Sequence, residues 1–135
     1  MKDCVFCKIV TGDIPCHKIY EDKDTFAFLD VHPVNKGHTL VIPKKHVKDI
    51  FEASPSILKA LSVANQKIAR ALGMSADGVN VFMNNKEAAG QIVFHLHYHV
   101  FPRWKDDGIN PKLPHQSYSD TEMKRIAENI RKSLA

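Results

Sequence analysis

Residues 94–101 read Phe94-His95-Leu96-His97-Tyr98-His99-Val100-Phe101. Successive side chains of a β-strand point to opposite faces. This spacing therefore predicts a strand with all three imidazoles on one face and Leu96, Tyr98 and Val100 on the other. One face builds a core, and the other presents a row of groups that change charge near neutral pH. Few folds accommodate such a segment except a sheet packed on one side and chemically active on the other.

Three readings of the row compete. It can be the polar outer face of an antiparallel strand. It can be a three-histidine metal site, but a rise of ~3.3 Å per residue separates the His95 and His99 backbones by ~13 Å, while Zn–N bonds are only ~2.0–2.1 Å. Neighbouring pairs can share an ion or a ligand; the outer pair is badly placed to do so. The third reading is a division of labour, in which a central imidazole acts as nucleophile and its neighbours orient it or contact the substrate. Phosphorus chemistry suits a nucleophilic imidazole, because a phosphoryl-imidazole forms readily and is labile enough to turn over. Asn84, Asn85 and Gln91 can donate hydrogen bonds to an anion, and Gly90 allows close backbone approach. Singly, each of these is also ordinary turn chemistry.

The remaining chain supplies a scaffold. Its 135 residues suffice for one core, and one domain is expected over residues 1–135, with a C-terminal loop and helix over 104–135. Residues 4–10 read as a short helix stopped by Gly12 and Pro15. Strands are expected at 17–21, 25–31, 38–42, 78–83 and 91–103. Ser54-Pro55 caps and starts a helix with Leu58, Leu61, Ala64, Ile68, Ala71 and Leu72 at helical spacing, and Gly73 is placed to stop it. Residues 104–118 are irregular, broken by Gly108, Pro111 and Pro114. Ser119-x-x-Glu122 is a capping box opening a last helix, whose stripe of Met123, Ile126, Ala127 and Ile130 reads as core. Strands in the middle and helices at the flanks, without βαβ alternation, predict an antiparallel α+β sheet.

Composition narrows the partners. The net charge of +4 leans weakly toward anionic ligands. Neither nucleic acid nor a membrane is expected as partner: no run approaches the ~18 apolar residues of a span. The first residues lack the apolar stretch of a signal peptide, so a cytoplasmic location is the default. Three cysteines is an odd count. In a reducing compartment the close pair Cys4 and Cys7 reads as a metal or redox pair before a structural disulfide. Cys16 reads as a buried or incidental thiol.

The string from His95 to Phe101 resembles the His-φ-His-φ-His-φ-φ signature of the histidine triad (HIT) superfamily. Asp30-Val31-His32-Pro33, followed by Gly37-His38-Thr39-Leu40-Val41-Ile42-Pro43-Lys44-Lys45-His46, resembles that family's nucleoside-binding segment. Asn84 and Gly90-Gln91 stand where members contact phosphate. The resemblance covers roughly residues 4–104 in order and spacing. It implies a five-stranded antiparallel sheet with two main helices, and a homodimer with a continuous ten-stranded sheet. It also implies a function at the α-phosphorus of purine nucleotide conjugates of the AMP-phosphoramidate type, as in the Hint-like branch, through a nucleotidyl-histidine. A dinucleoside polyphosphate hydrolase and a non-catalytic nucleotide-binding module are the alternatives.

Residue by residue, the resemblance makes His97 the nucleophile and His99 the phosphate contact. His95 becomes the residue whose carbonyl sets the tautomer of the nucleophile. Asp30 would bind the ribose hydroxyls, and Val31, with apolar residues near Phe6 and Ile9, the base. Asn84, Gly90 and Gln91 would meet phosphate or ribose. Ile92 departs from the pattern, standing where many Hint-like members carry a serine that handles the leaving amine. Two thiolates need two more ligands for tetrahedral zinc, and Cys, Cys, His, His sets in related proteins imply Cys4, Cys7, His46 and His95 as a structural zinc site. A redox pair or two packed thiols are the other readings of Cys4 and Cys7. His46 also stands where zinc-free relatives support the nucleophile. His38 carries no signal separable from packing.

Overall fold

Every expected strand exists, and their order places the histidine row at the centre of a sheet. In the computed structural model, which describes residues 3–109 and 112–134, five strands form: β1 (Lys18–Glu21), β2 (Thr25–Leu29), β3 (Thr39–Pro43), β4 (Gly78–Met83) and β5 (Tyr98–Arg103). They pair antiparallel throughout in the order β1-β2-β3-β5-β4. Helices α1 (Val5–Thr11), α2 (Pro55–Gly73) and α3 (Asp120–Ser133) complete the fold, with a short 3-10 turn at Glu87–Ala89. Met1, Lys2 and Pro111 lie outside the described residues.

The sheet is buried on both faces, which explains the unbroken apolar runs of β2 and β3. Ala27, Val41 and Val100 are fully buried under α2, which contributes Leu61, Ala64 and Ile68 from one face. On the opposite face Phe26, Phe28, Leu40 and Ile42 pack with Phe6 and Ile9 of α1. Burial of each such side chain stabilises by roughly 1.5–3 kcal/mol. In α1 the Cys4 sulfur caps the start by accepting from the Cys7 N–H, and Gly12 closes the end in the left-handed conformation at φ 86°, which a side chain disfavours.

Three expectations change. The histidine strand is shorter than residues 91–103: pairing begins at Tyr98, because β3 ends at Pro43 and the Leu96 N–H turns aside to the Val47 carbonyl. His95 and His97 therefore precede the strand. Helix α2 ends at Gly73 without a left-handed cap; Met74 closes it in right-handed geometry, bonding Ala71 and Leu72. The stripe of α3 is not core, since none of that helix is buried and Met123 and Ile130 are over half exposed.

Candidate functional site

The alternation persists through the unpaired segment. Leu96, Tyr98 and Val100 pack toward α2, so His95, His97 and His99 face the α1 side. His95 is fully buried, His97 nearly so, and His99 is half-buried. Carbonyl groups only accept hydrogen bonds, so each contact with one fixes a tautomer.

His95 Nε2 lies 2.8 Å from the Pro43 carbonyl and must donate to it. Its Nδ1 lone pair then faces three other donors: Cys4 Sγ at 3.4 Å, Cys7 Sγ at 3.6 Å and His46 Nδ1 at 3.2 Å. Cys7 Sγ is also 3.4 Å from His46 Nδ1. All four atoms lie within 4.8 Å of one another. Zn–S bonds of ~2.3 Å and Zn–N bonds of ~2.05 Å give a tetrahedron with edges of about 3.3–3.8 Å. The residues thus fit a closed four-ligand metal site. Burial, reinforced by the neighbouring Cys4, pushes the Cys7 thiol up in the metal-free protein; a bound cation would reverse that by favouring thiolate.

His97 Nδ1 lies 2.8 Å from the His95 carbonyl. It donates there, which makes Nε2 the ring's basic nitrogen. Burial lowers the His97 pKa, against the opposing pull of that hydrogen bond and of Asp30, so the ring is neutral at pH 7 and its lone pair available. Phe6 of α1 meets it edge-on at 5.2 Å between centroids. The metal-competent cluster and the His97 tautomer therefore meet in one residue: His95 faces the cysteines with its ring and holds His97 with its backbone.

His99 is oriented from the other side. The Val34 N–H donates to His38 Nδ1 at 3.0 Å, so His38 carries its proton on Nε2. That proton is donated to His99 Nδ1 at 2.9 Å, leaving His99 with an Nε2–H donor. Burial is the main cause that pushes His99 down to about 4 and lowers His38, which keeps both rings neutral as this chain of donors requires. Asp30 approaches His38 Nε2 at 3.7 Å and accepts from the His32 N–H at 2.9 Å. Phe82 stacks on His99 at 5.0 Å. His38 was legible in principle: with Leu40 and Ile42 it has the parity of the α1-facing side of β3, and Leu40 is the register partner of His99.

His97 and His99 open into a cavity of about 990 Å³, also lined by Asp30, Val31, Asn84, Gly90 and Ile92, with Phe6 and Ile9 on its wall. Its size falls among small-molecule sites. Gly90 holds φ 95°, and a Cβ there would sit 3.5 Å from Asn84 Nδ2. Gln91 is placed differently. It is buried outside the lining, its Oε1 accepting from the Lys86 N–H at 2.7 Å and its Nε2 donating to the Lys48 and Val93 carbonyls. It holds the loop that carries Asn84 and Gly90. Cys16, half-buried, lies in the cavity wall.

Comparison with known proteins agrees with this arrangement. The family model described as HIT domain matches residues 11–106. Protein hit of Bacillus subtilis is 44% identical over 139 residues, spanning 99% of this chain and 96% of that protein. The adenosine 5′-monophosphoramidase hnt1 of Schizosaccharomyces pombe is 39% identical, over 94% and 95% of the two chains. Among solved structures, SMU.412c of Streptococcus mutans superposes with a TM-score of 0.94 at 46% identity, covering all of this chain and 87% of that one. A zinc-bound histidine triad family protein of Mycobacterium smegmatis superposes with a TM-score of 0.75 at 40% identity, covering 99% of both chains. With the three histidines, the five-stranded sheet and the cavity they share, the chain belongs to the HIT family.

Proposed function

We propose that the protein hydrolyses purine nucleotide conjugates of the AMP-phosphoramidate type at the α-phosphorus, with His97 as nucleophile. The observation that carries this is the 2.8 Å bond from His97 Nδ1 to the His95 carbonyl, which presents Nε2 as a neutral nucleophile to the cavity. A bond forms from His97 Nε2 to phosphorus as the bond to the leaving amine breaks, and the amine takes a proton from solvent and departs through the cavity mouth. Water then attacks the same phosphorus and releases a proton to solvent, the P–N bond to His97 breaks to return the neutral ring, and AMP departs. The covalent intermediate divides one hard displacement into two easier ones. The His99 Nε2–H donates to a phosphoryl oxygen as charge grows on it. Asp30 accepts from the ribose hydroxyls, Val31 with Phe6 and Ile9 encloses the base, and Asn84 and Gly90 contact the phosphate. A relative named as an adenosine 5′-monophosphoramidase supports this substrate class.

Cys4, Cys7, His46 and His95 hold a structural zinc in this reading. Two sulfurs and two nitrogens fill its coordination, so it has no open position for substrate. A zinc-bound relative supports the assignment. Paired thiolates of this kind accord with a reducing compartment such as the cytoplasm. No described helix is long and apolar enough to cross a membrane. The same reading makes the protein a homodimer with a continuous ten-stranded sheet.

The test supplies an adenosine phosphoramidate and a diadenosine polyphosphate to wild type and His97→Ala. The phosphoramidate is consumed by wild type, and His97→Ala loses on the order of 10⁴-fold or more. Full turnover by His97→Ala refutes the mechanism. AMP binding without turnover of either substrate favours a binding module.

A further inference from the structure

The hydrogen bond between His38 Nε2 and His99 Nδ1 can run in either direction between two neutral rings. In one direction His99 presents an Nε2–H donor to the cavity. Reversed, it presents a bare nitrogen, which repels a phosphoryl oxygen. The Val34 N–H selects the first direction by occupying His38 Nδ1 at 3.0 Å. Asp30 lies 3.7 Å from His38 Nε2, beyond hydrogen-bond reach. The direction of the chain therefore depends on where one loop, between β2 and β3, holds its backbone.

That loop returns to β3 by a turn, in which the His38 N–H donates to the Asn35 carbonyl at 3.0 Å. Asn35 is half-buried and anchors the turn from outside. Its Nδ2 donates to the Pro102 carbonyl at 2.9 Å and to Asp107 Oδ2 at 3.0 Å. Both partners only accept, so they fix the amide orientation and use both of its hydrogens. Gly37 permits the approach, since a Cβ there would sit 3.4 Å from Pro102 Cγ.

Asp107 is itself held in place, with its side chain 8% exposed. Oδ2 also accepts from Arg103 Nε at 2.8 Å and from the Trp104 N–H at 3.1 Å. Oδ1 accepts from Arg103 Nη2 at 3.2 Å and from the Ile109 N–H at 3.0 Å. The Arg103 fork makes this a charge-assisted pair, and Nη1 continues to Asn80 Oδ1 of β4 at 2.8 Å. Arg103 holds the Asp107 carboxyl far below the usual carboxylate range, so it stays an acceptor. These bonds close the 104–109 loop without Asn35. The Asn35 bond adds a tie from the end of β5 to the turn that carries Val34.

We infer that Asn35 and Asp107 are positioning residues: they hold the Val34 N–H against His38 and so set the direction of the His38–His99 hydrogen bond. What the resulting His99 donor does rests on the α-phosphorus reading above.

The test reads ring tautomers directly, by long-range proton–nitrogen NMR of the full chain near neutral pH. In wild type His38 and His99 each show a single Nε2–H tautomer. Asn35→Asp keeps the shape but replaces the donor by a carboxylate facing Asp107, and both rings become mixtures of tautomers. Its kcat on adenosine 5′-phosphoramidate falls by about tenfold with KM changed less than about twofold, as small misplacements of a transition-state contact act on kcat. Should Asn35→Asp not fold, Asn35→Ala, which adds no charge, is read in the same way. Asp77→Ala is the control: it frees the Lys105 N–H bonded to Asp77 Oδ2 at 2.8 Å, loosening the same loop while leaving Asn35 on Asp107, and both tautomers stay single. Mixed tautomers in wild type, single tautomers in the Asn35 variants, or equal mixing in Asp77→Ala overturns the inference. If wild type turns over no conjugate and the Asn35 variants still mix the tautomers, the α-phosphorus reading fails and the positioning role stands.

Discussion

Two clusters flank His97, and both bring three or more metal-ligating groups together: Cys4, Cys7, His46 and His95 on one side, Asp30, His38 and His99 on the other. Their inner geometry differs. The second is an open chain in which each close contact has its own proton, from the Val34 N–H to His38 and from His38 to His99. The first is a closed cage: its four ligating atoms lie within 4.8 Å of one another, and four of the six pairs are 3.2–3.6 Å apart, close to tetrahedral edge lengths. Proximity of ligating residues does not distinguish a metal site from a proton-ordering device; the pattern of contacts does. One cluster fits a structural cation, and the other fixes which nitrogen of His99 faces the cavity.

The comparison breaks most easily at the cage. Protein purified without chelator is expected to hold one zinc per chain by elemental analysis. Cys7→Ser should lose it and lower Tm by more than about 10 °C, since structural zinc contributes folding free energy directly. Absence of metal from wild type, with a Tm insensitive to Cys7→Ser, would reduce the cage to packed thiols. At the chain, His38→Leu should lower kcat by about 100-fold, the range seen when one transition-state donor is lost, with zinc content unchanged. His38→Gln, whose amide N–H can replace the Nε2–H donor, should recover much of that rate. Equal losses in Leu and Gln variants would mean that His38 only fills space.

These same regions show what a sequence can disclose. The start of α2 was legible because Ser54 and Pro55 act locally, on N–H groups within one turn. The bounds of β4 followed from alternation closed by polar loop residues. The premature start expected for β5 has the opposite cause. Alternation marks extended backbone, whereas pairing depends on where a distant neighbour ends, here at Pro43. The stripe of α3 was correctly periodic, but burial belongs to whatever packs against a helix, and what lies against this one leaves Ile126 and Ala127 half-buried and buries none of its residues. The site residues on the α1 face could be listed from parity and resemblance. Their connections could not, because the contact between His38 and His99 spans 61 residues and the one between Cys4 and His95 spans 91. Gln91 illustrates the remaining gap: an amide beside a glycine reads equally as a substrate donor or as a loop fastener, and only its burial separates the two.

The smallest expected effect tests whether the open chain carries neutral rings. Burial is the largest cause holding His99 near pKa 4, the neighbouring rings of His97 and His38 add to it, and Asp30 opposes. An unfolded histidine titrates near ~6.5. As pH falls through ~6.5 the unfolded chain binds a proton that folded His99 refuses, so stability declines from about pH 6.5 to about pH 4 and levels off below. Above ~6.5 the contribution is complete. An NMR titration of the His99 ring should give a midpoint near 4, and the denaturant midpoint should fall between pH 7 and pH 5. Asp22, held down to about 2 chiefly by its bonds from Tyr20 and Thr25 against the opposing cost of burial, acts in a separate window, losing its contribution only as pH drops from ~3.9 toward 2. A His99 midpoint near ~6.5 would mean that its ring is solvated and free to rotate. In that case the donor chain from Val34 through His38 would not set its tautomer, and the contrast between cage and chain would rest on the cage alone.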